Sequence, residues 1–329
     1  TEIYTILFVG SVRCVLETVL ILVVVFIHEY GHYYFAKKYG VGVTDFSIGF
    51  GKEIFGWNDK SGTRWKICMI PLGGYVKFFG DRNVFSQSDQ EELIKQYNEK
   101  DREKLFVLKP LYQRSLIVAA GPIANFILAA IIFCFIYMFV GKDFTPAVIS
   151  EVQKDSPADI SVLKNNYIIL EINNTKVKSI LDVSKLIMMS TSETIDFKLL
   201  RYDQNISLKV KPNVIEAEDN LGNKVKKRII GIKLGTENTQ INHKKLNPIK
   251  AIYYSLNEVY FVSISSLKYL GSMLTGKGDS SQLGGPIRIA KITGQVAEIG
   301  ILPFISIMAY ISISPVSYTH LTLPTKRIV

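Results

Sequence analysis

The hydrophobic pattern of the chain contains two long apolar segments and a shorter third one. The first membrane segment is predicted within residues 1–39, where the apolar run Val19–Ile27 has no basic region or cleavage signature before it, so we interpret it as an anchor. The second, residues 115–141, contains no charged residue and is long enough for a full crossing. A third run within 295–314 is short for a crossing and is interpreted as a partial membrane helix.

Residues 40–114, between the first two helices, show strand-like alternation followed by a charged stretch. Val43–Gly51 and Trp65–Lys77 alternate and carry glycine breaks, which predicts a membrane-associated β-hairpin. A hairpin beside an intramembrane site could pair its edge with an extended peptide. The charged stretch Asp81–Arg114 predicts a solvated amphipathic helix on the membrane surface.

The chain is predicted to leave the bilayer after the second membrane helix. Residues 145–238 contain short β-type runs and a helical stretch, Leu181–Met189, which indicates a small mixed α/β domain. Residues 249–275 form an amphipathic pattern rich in Tyr, Ile and Leu, typical of a helix at the bilayer surface. The predicted fold class is an α-helical polytopic membrane protein with an inserted mixed α/β domain.

Composition agrees with this class and excludes others. The 329 residues are 48% hydrophobic, and the net charge is +10. The basic residues are scattered between apolar segments without an aromatic-interleaved stripe, so nucleic acid is not expected as a partner. Lys37, Lys38 and the basic loop after them place residues 40–114 on the cytoplasmic side by the positive-inside rule. Three cysteines lack metal-ligand spacing and imply no disulfide framework: Cys14, Cys68 and Cys134.

The strongest candidate chemistry is the pattern His-Glu-x-x-His at residues 28–32. On a helix, His28 and His32 lie one turn apart on the same face and can bind one zinc ion, while Glu29 can take a proton from a water that the metal holds. Ionisable side chains inside a membrane segment are expensive and are usually kept for function. The alternative is a pair of surface histidines just past a membrane anchor.

A second candidate lies within the second membrane segment, at Gly121, Pro122 and Asn125. A proline and an amide in mid-membrane cost free energy unless neighbours satisfy the backbone and the side chain. The functional interpretation is that Asn125 hydrogen-bonds a group in a buried polar site. The alternative is a tolerated kink with a helix-packing glycine.

The chain carries five motifs in order: His28–His32, Phe46–Gly51, Ile70–Lys77, Gly121–Asn125 and Leu283–Ile287. With these motifs it resembles the site-2 protease family of intramembrane zinc metalloproteases, most closely the bacterial regulator-of-sigma-E protease type. In that family the domain after the second helix is a PDZ domain. Residues 145–238 are therefore expected to be PDZ-like and could bind peptides.

The resemblance implies a metalloendopeptidase of the bacterial inner membrane. Zn²⁺ would be held by His28, His32 and an aspartate of a later helix, with Glu29 as general base. The substrates would be single-pass membrane proteins, such as anti-sigma factors or remnant signal peptides. The zinc site would lie near the cytoplasmic side and the PDZ-like domain outside. The residues expected to position the substrate are Asn125, Gly121, Pro122, Gly73, Gly74 and Tyr75.

One departure from the family concerns the third zinc ligand. The family carries it in a Leu-Asp-Gly segment, and no such segment follows Leu283. Residues 315–329 resemble nothing in the family and look like a foreign tail. We therefore expect a C-terminally truncated copy of a protease, inactive in this form. The alternative is a non-catalytic membrane-anchored PDZ adaptor, but the intact His28, Glu29 and His32 favour truncation.

Overall fold

A computed structural model of the chain describes residues 2–81, 94, 96–190, 192–202, 204–218, 224–235, 242–275 and 286–314. The chain divides into two compact units. Unit 1 comprises Thr1–Phe133 and Gly285–Val329, and unit 2 comprises Cys134–Gly284.

The first two helices carry the apolar segments. Helix α1 is Glu2–Lys38, and its part Thr18–Lys38, with a mean hydropathy of 1.5, is long and apolar enough to cross a membrane. Helix α2, Glu99–Arg102, is a single short turn. Helix α3, Leu111–Phe139, has a mean hydropathy of 2.4 and is the second candidate span. It begins four residues before the predicted boundary, directly after Pro110.

The β-hairpin is longer than predicted and folds back on itself. Strands β1 (Val43–Asn58) and β2 (Arg64–Phe78) pair antiparallel. Each bends near its middle, at Gly49 (φ +87°) in β1 and at Gly73 (φ +142°) in β2, a backbone conformation that favours glycine. The fold-back gives Ile48 two partners, Gly74 on one side and Ile67 on the other.

The folded hairpin is therefore a small sheet of four segments. Residues 43–48 lie between 74–78 and 64–67, and 64–68 also pair with 53–58 on the far side. The sequence pattern missed the segment 53–58, because its glutamate and glycine, with Lys52 before them, break the apolar alternation.

The structure contradicts the prediction of one solvated amphipathic helix over residues 81–114. The stretch 81–114 is not one amphipathic helix in its described part: α2 is followed by a 3₁₀ turn, Phe106–Leu108. Leu105 and Phe106 are buried because they pack with residues of α1, β1 and α3. Residues 82–93 and 95, with Glu91, Glu92 and Lys95, lie outside the described residues.

Unit 2 has the mixed α/β character predicted from the sequence. Its elements are β3 (Lys142–Asp143), β4 (Ile149–Val152), α4 (Pro157–Ile160), β5 (Ile168–Ile172), β6 (Thr175–Lys176), α5 (Ile180–Met189), β7 (Ile195–Arg201), β8 (Gln204–Val210), β9 (Asn213–Glu218), β10 (Lys224–Ile229), β11 (Ile232–Leu234), β12 (His243–Lys244) and α6 (Pro248–Leu274). Its core surrounds a four-stranded antiparallel sheet in the order β6-β5-β7-β8. Helix α5 covers this sheet, with Val183 and Ile187 buried against Ile172 and Phe197.

Helix α6 matches the amphipathic segment predicted at 249–275. Asn247 caps its first turn by accepting a hydrogen bond from the Lys250 amide at 2.9 Å. Glu258 accepts hydrogen bonds within unit 2, including one from Lys185 of α5 at 2.6 Å. An apolar face of α6 remains exposed at Ile249, Ile252, Tyr253, Leu256 and Tyr260.

The end of unit 1 is two helices rather than one. Helix α7 is Pro286–Ile299 and helix α8 is Ile301–Ile313. The predicted single run within 295–314 is broken at Gly300, whose φ of +142° cannot continue a helix. Phe304 of α8 packs against Leu20 and Val24 of α1. The motif residues Leu283–Gly285 and the tail 315–329 lie outside the described residues.

Candidate metal centre

Helix α1 brings His28 and His32 together as the spacing predicts. Their Nε2 atoms lie 3.2 Å apart, and the rings meet edge to face at 83°. Tetrahedral zinc with Zn–N bonds of about 2.0–2.1 Å separates two nitrogen ligands by about 3.3 Å. The separation of the two Nε2 atoms therefore fits one shared zinc ion. His28 is 4% exposed and His32 is partly buried, which argues against the alternative of two surface histidines.

Helix α3 contacts both imidazole rings, which are carried by α1. Nδ1 of His32 donates to the Ile117 carbonyl at 2.8 Å, which puts the proton on Nδ1 and the metal-binding lone pair on Nε2. Nδ1 of His28 lies 3.5 Å from the Asn125 amide nitrogen. Asn125 is fully buried, and its Oδ1 has no hydrogen-bond partner among the described atoms. A half turn of the amide brings Oδ1 to Nδ1–H, the arrangement that orients metal-binding histidines.

Close approach of α1 and α3 depends on two glycines. A Cβ on Gly31 would lie 2.4 Å from the Ala120 carbonyl oxygen. A Cβ on Gly121 would lie 2.4 Å from Nε2 of His32 and 2.8 Å from Cε1 of His28. Small residues let membrane helices pack backbone to backbone, and here they also make room for the imidazoles.

Glu29 points to the folded hairpin rather than to α3. It is 5% exposed, and its carboxylate accepts a hydrogen bond from the Val76 backbone amide. A Cβ on Gly74 would lie 3.3 Å from Cγ of Glu29 and 2.9 Å from Val25. Gly74 thus allows β2 to pass directly over the carboxylate.

The predicted positioning residues separate into two groups. Gly121, Asn125 and Gly74 border the histidines and Glu29, whereas Gly73 forms the bend of β2 with the Phe50 ring against it. The ring of Tyr75 stacks on Phe50 at 6.2 Å, on the opposite face of the strand from Gly74. Tyr75 therefore faces away from the histidine pair. Pro122 lies inside α3, which continues through it.

The third ligand is not among the residues that the structure describes. Within this part of the chain, no group of three His, Cys, Asp or Glu side chains is placed to hold one metal ion. Catalytic zinc sites use three protein ligands. His28 and His32 thus fit as two of them. Sequence reasoning missed the Ile117 carbonyl and the Val76 amide, because backbone groups carry no residue-type signal.

A histidine pair with an adjacent carboxylate, carried by a helix apolar enough to cross a membrane, defines a membrane metalloprotease site. The model of Peptidase family M50 matches residues 17–315. The chain belongs to this family, and the resemblance to site-2 proteases is confirmed. The cofactor of these zinc metalloproteases is Zn²⁺.

The relatives cover most of the chain. Metalloprotease MmpA of Caulobacter vibrioides is 33% identical over 283 residues, 84% of this chain and 70% of its own length. A protein of Agrobacterium fabrum, named as a candidate zinc metalloprotease, is 38% identical over 290 residues, 88% of this chain and 77% of its own. Among solved structures, the PDZ domain of the SdrC-like protein from Listeria monocytogenes covers 28% of this chain and 88% of its own, at 25% identity and a TM-score of 0.23.

Proposed function

We propose that this protein is an intramembrane zinc endopeptidase that cleaves single-pass membrane proteins within or beside their membrane segment. The observation that carries the proposal is the convergence of the two Nε2 atoms at 3.2 Å inside a pair of apolar helices. Placing ionisable groups in lipid is costly, and a site that hydrolyses water-soluble peptides has no need to lie there. The position therefore favours a substrate within the membrane.

The roles of the residues follow from their positions. Bound zinc supplies Lewis-acid activation of a water, whose pKa falls to about 7. His28 and His32 would hold the ion, while Asn125 and the Ile117 carbonyl contact the two rings. Glu29 accepts the proton of the attacking water and passes it to the amine nitrogen of the leaving group.

The edge of β2 is the proposed substrate platform. The Val76 amide points off the side of β2 that β1 does not use, because it donates to Glu29. A peptide that adds as a strand along residues 74–78 would offer its carbonyls to this edge. Its peptide bond would then pass beside Glu29. A membrane helix must unwind locally to bind in this way.

Residues 145–238 are the proposed docking module, in the manner of a PDZ domain. Of the strands that the structure describes, β11 pairs with β4 alone, which leaves one edge for an added peptide strand. Leu181 and Met188 are exposed on α5, two helical turns apart on one face. We propose that these two features select substrates by an extended peptide segment.

The proposed location is the bacterial inner membrane, with α1 and α3 as crossings. The basic residues Lys37, Lys38 and Lys109 flank these helices on one side, which supports a zinc site near the cytoplasm by the positive-inside rule. The apolar side chains of Ile54, Phe55 and Met69 are exposed on the folded hairpin and would contact lipid.

A second candidate function is a membrane-anchored adaptor that binds partners without cleaving them. It is favoured by the lack of a third ligand among the described residues. The two functions differ in whether zinc-loaded protein hydrolyses a bound membrane segment.

The test is cleavage by the purified complete protein in liposomes, with zinc content measured in parallel. The probe is a labelled Leu- and Ala-rich peptide of about 20 residues, one bilayer crossing, with a central Asn-Gly pair that weakens its helix. We expect Glu29→Gln to abolish cleavage and to retain zinc, since Glu29 is not a ligand. The matched control is Glu193→Gln, an exposed carboxylate of unit 2.

Each result decides between the candidates. Cleavage by the unchanged chain that is lost in Glu29→Gln supports the endopeptidase. Full cleavage by Glu29→Gln contradicts the mechanism. Zinc-loaded chain that binds the probe without hydrolysing it supports the adaptor.

A further inference from the structure

The turn at the tip of the hairpin is organised around one carboxylate. Asp59 Oδ1 accepts hydrogen bonds from the Ser61 amide (2.8 Å), the Ser61 hydroxyl (2.7 Å) and the Thr63 amide (2.9 Å). Its Oδ2 accepts from the Tyr33 hydroxyl at 2.7 Å and from Trp65 Nε1 at 3.3 Å. The first oxygen thus closes the turn, while the second joins it to β2 and to helix α1.

The electrostatics of Asp59 agree with this role. Burial opposes its ionisation, but the hydrogen bonds led by Tyr33 outweigh burial and hold the pKa of the carboxyl below its usual range. Hydrogen bonds to an ionised acceptor are stronger than those between neutral groups. The same turn is fastened to the start of β1, where the Thr63 hydroxyl donates to the Val43 carbonyl at 2.9 Å.

Tyr33 is the helix end of this contact and follows His32 directly in sequence. Its ring meets Trp65 edge to face at 5.2 Å and Phe46 at 5.7 Å. Phe46 is fully buried, stacks on Trp65 at 4.1 Å and meets Phe26 of α1 at 5.8 Å. An aromatic layer therefore separates the sheet from α1, and the Tyr33–Asp59 hydrogen bond closes its end.

This layer connects the tip of the hairpin to the edge over Glu29. Phe46 has two strand partners, Trp65 on one side and Val76 on the other. Any shift of the tip relative to α1 therefore moves 43–48 and, through it, the Val76 amide that contacts Glu29. A displacement of about 1 Å at a reacting centre can cost about a hundredfold in rate.

We propose that Asp59 is a positioning residue, which through Tyr33 fixes the substrate-pairing edge of β2 relative to Glu29 and the histidine pair. The inference rests on the proposed peptidase function. The two oxygens then have different roles. Oδ1 stabilises the fold of the turn, and Oδ2 holds the sheet in place on helix α1. Asp59 touches neither metal nor substrate.

The two tasks can be separated by substitution. Tyr33→Phe keeps the ring in the aromatic layer and removes only the donor to Oδ2. Asp59→Asn keeps one oxygen to accept from the turn amides but loses the charge. Lys60→Ala, in the same turn, is the matched control because its side chain is exposed.

Fluorescence gives a readout that does not depend on catalysis. The chain has two tryptophans, Trp57 and Trp65, so Trp57→Phe leaves Trp65 as the sole reporter at the contact. In this background we expect Asp59→Asn and Tyr33→Phe to increase acrylamide quenching of Trp65, with Lys60→Ala unchanged. Unchanged quenching in both variants would overturn the assigned contact.

Cleavage of the Asn-Gly probe then tests the positioning role at constant zinc content. We expect each single substitution to lower kcat/KM about tenfold, mainly through kcat because the edge remains available for binding. The double variant should lose no more than the larger single effect, since both act through one hydrogen bond. Independent losses that multiply in the double variant, or kcat/KM values equal to that of Lys60→Ala, would refute the proposal.

The two proposals fail in different ways. If the zinc-loaded chain cleaves no probe, the peptidase function is contradicted. Acrylamide quenching of Trp65 in the variants still measures the Asp59–Tyr33 contact in that case. Normal cleavage in variants with increased quenching contradicts the positioning role and leaves the peptidase function intact.

Discussion

Gly121 shows how much of the metal centre depends on a missing side chain. The histidines of α1 converge because α3 presents a hydrogen atom where any other residue has a Cβ. Asn125 lies one helical turn further along the same face of α3, where it meets His28. The sequence marked both residues as candidates, but their partners on α1 became visible only when the two helices were placed side by side.

We expect Gly121→Ala to remove zinc binding and cleavage together. A methyl group at 2.4 Å from Nε2 of His32 forces the ring to rotate away from the point that both Nε2 atoms share. Zinc content of the purified chain measures the loss. Gly271→Ala is the matched control, because no atom lies within 4 Å of a Cβ in that helix, so it should retain zinc and full cleavage. Normal zinc content in Gly121→Ala would contradict the close contact.

At the level of elements, the folded hairpin was the least predictable part of unit 1. The alternation correctly indicated strands near Val43–Gly51 and Trp65–Lys77. It did not indicate the fold-back, since Gly49 and Gly73 read as strand breaks rather than as bends within continuous strands. It also missed Asp59, which resembles any polar turn residue until Tyr33 of α1 is placed above it.

Helix assignments were more successful for a physical reason. The apolar segments of α1 and α3 and the amphipathic pattern of α6 are long, so local composition decides them. Two helix predictions failed, the one over 81–114 and the single one within 295–314, and for different reasons. Leu105 and Phe106 are buried by tertiary packing within a charged stretch, and Gly300 ends a helix inside an apolar run.

Two carboxylates of the hairpin region predict opposite pH effects on stability. The pKa of Asp59 is held below its usual range, so its contribution is present above about pH 4, the unfolded value, and is lost as the pH falls further. Burial raises the pKa of Asp81 to about 6, although the Phe78 amide donates to it. Asp81 therefore does not destabilise the fold below about pH 4, where it is protonated in both states, and its full destabilisation is reached above about pH 6.

Thermal unfolding of the detergent-solubilised chain measures both signs. At roughly neutral pH, Asp59→Asn should lower Tm by a few degrees, whereas Asp81→Asn should raise it. At about pH 4 the stabilisation by Asp81→Asn should disappear, because the carboxyl is protonated in both states. A gain in Tm that is equal at both pH values would show that Asp81 does not titrate in this way.

At the scale of the whole molecule, unit 1 carries the metal centre and unit 2 a separate core of its own. The chain between these cores runs through α3, the more apolar of the two candidate spans. Under the proposed function, this separation would let the docking module bind a substrate independently of the step at the zinc site.

The topology gives a prediction that does not depend on activity. A single crossing by α3 places Lys100 and Lys164 on opposite sides of the membrane, and the basic residues near α1 and α2 place Lys100 inside. In a chain with Cys14, Cys68 and Cys134 changed to Ser, a membrane-impermeant maleimide should label Lys164→Cys in intact spheroplasts. It should label Lys100→Cys only after permeabilisation. Because both side chains are exposed, labelling of the two positions to the same extent in intact spheroplasts would mean that α3 does not cross.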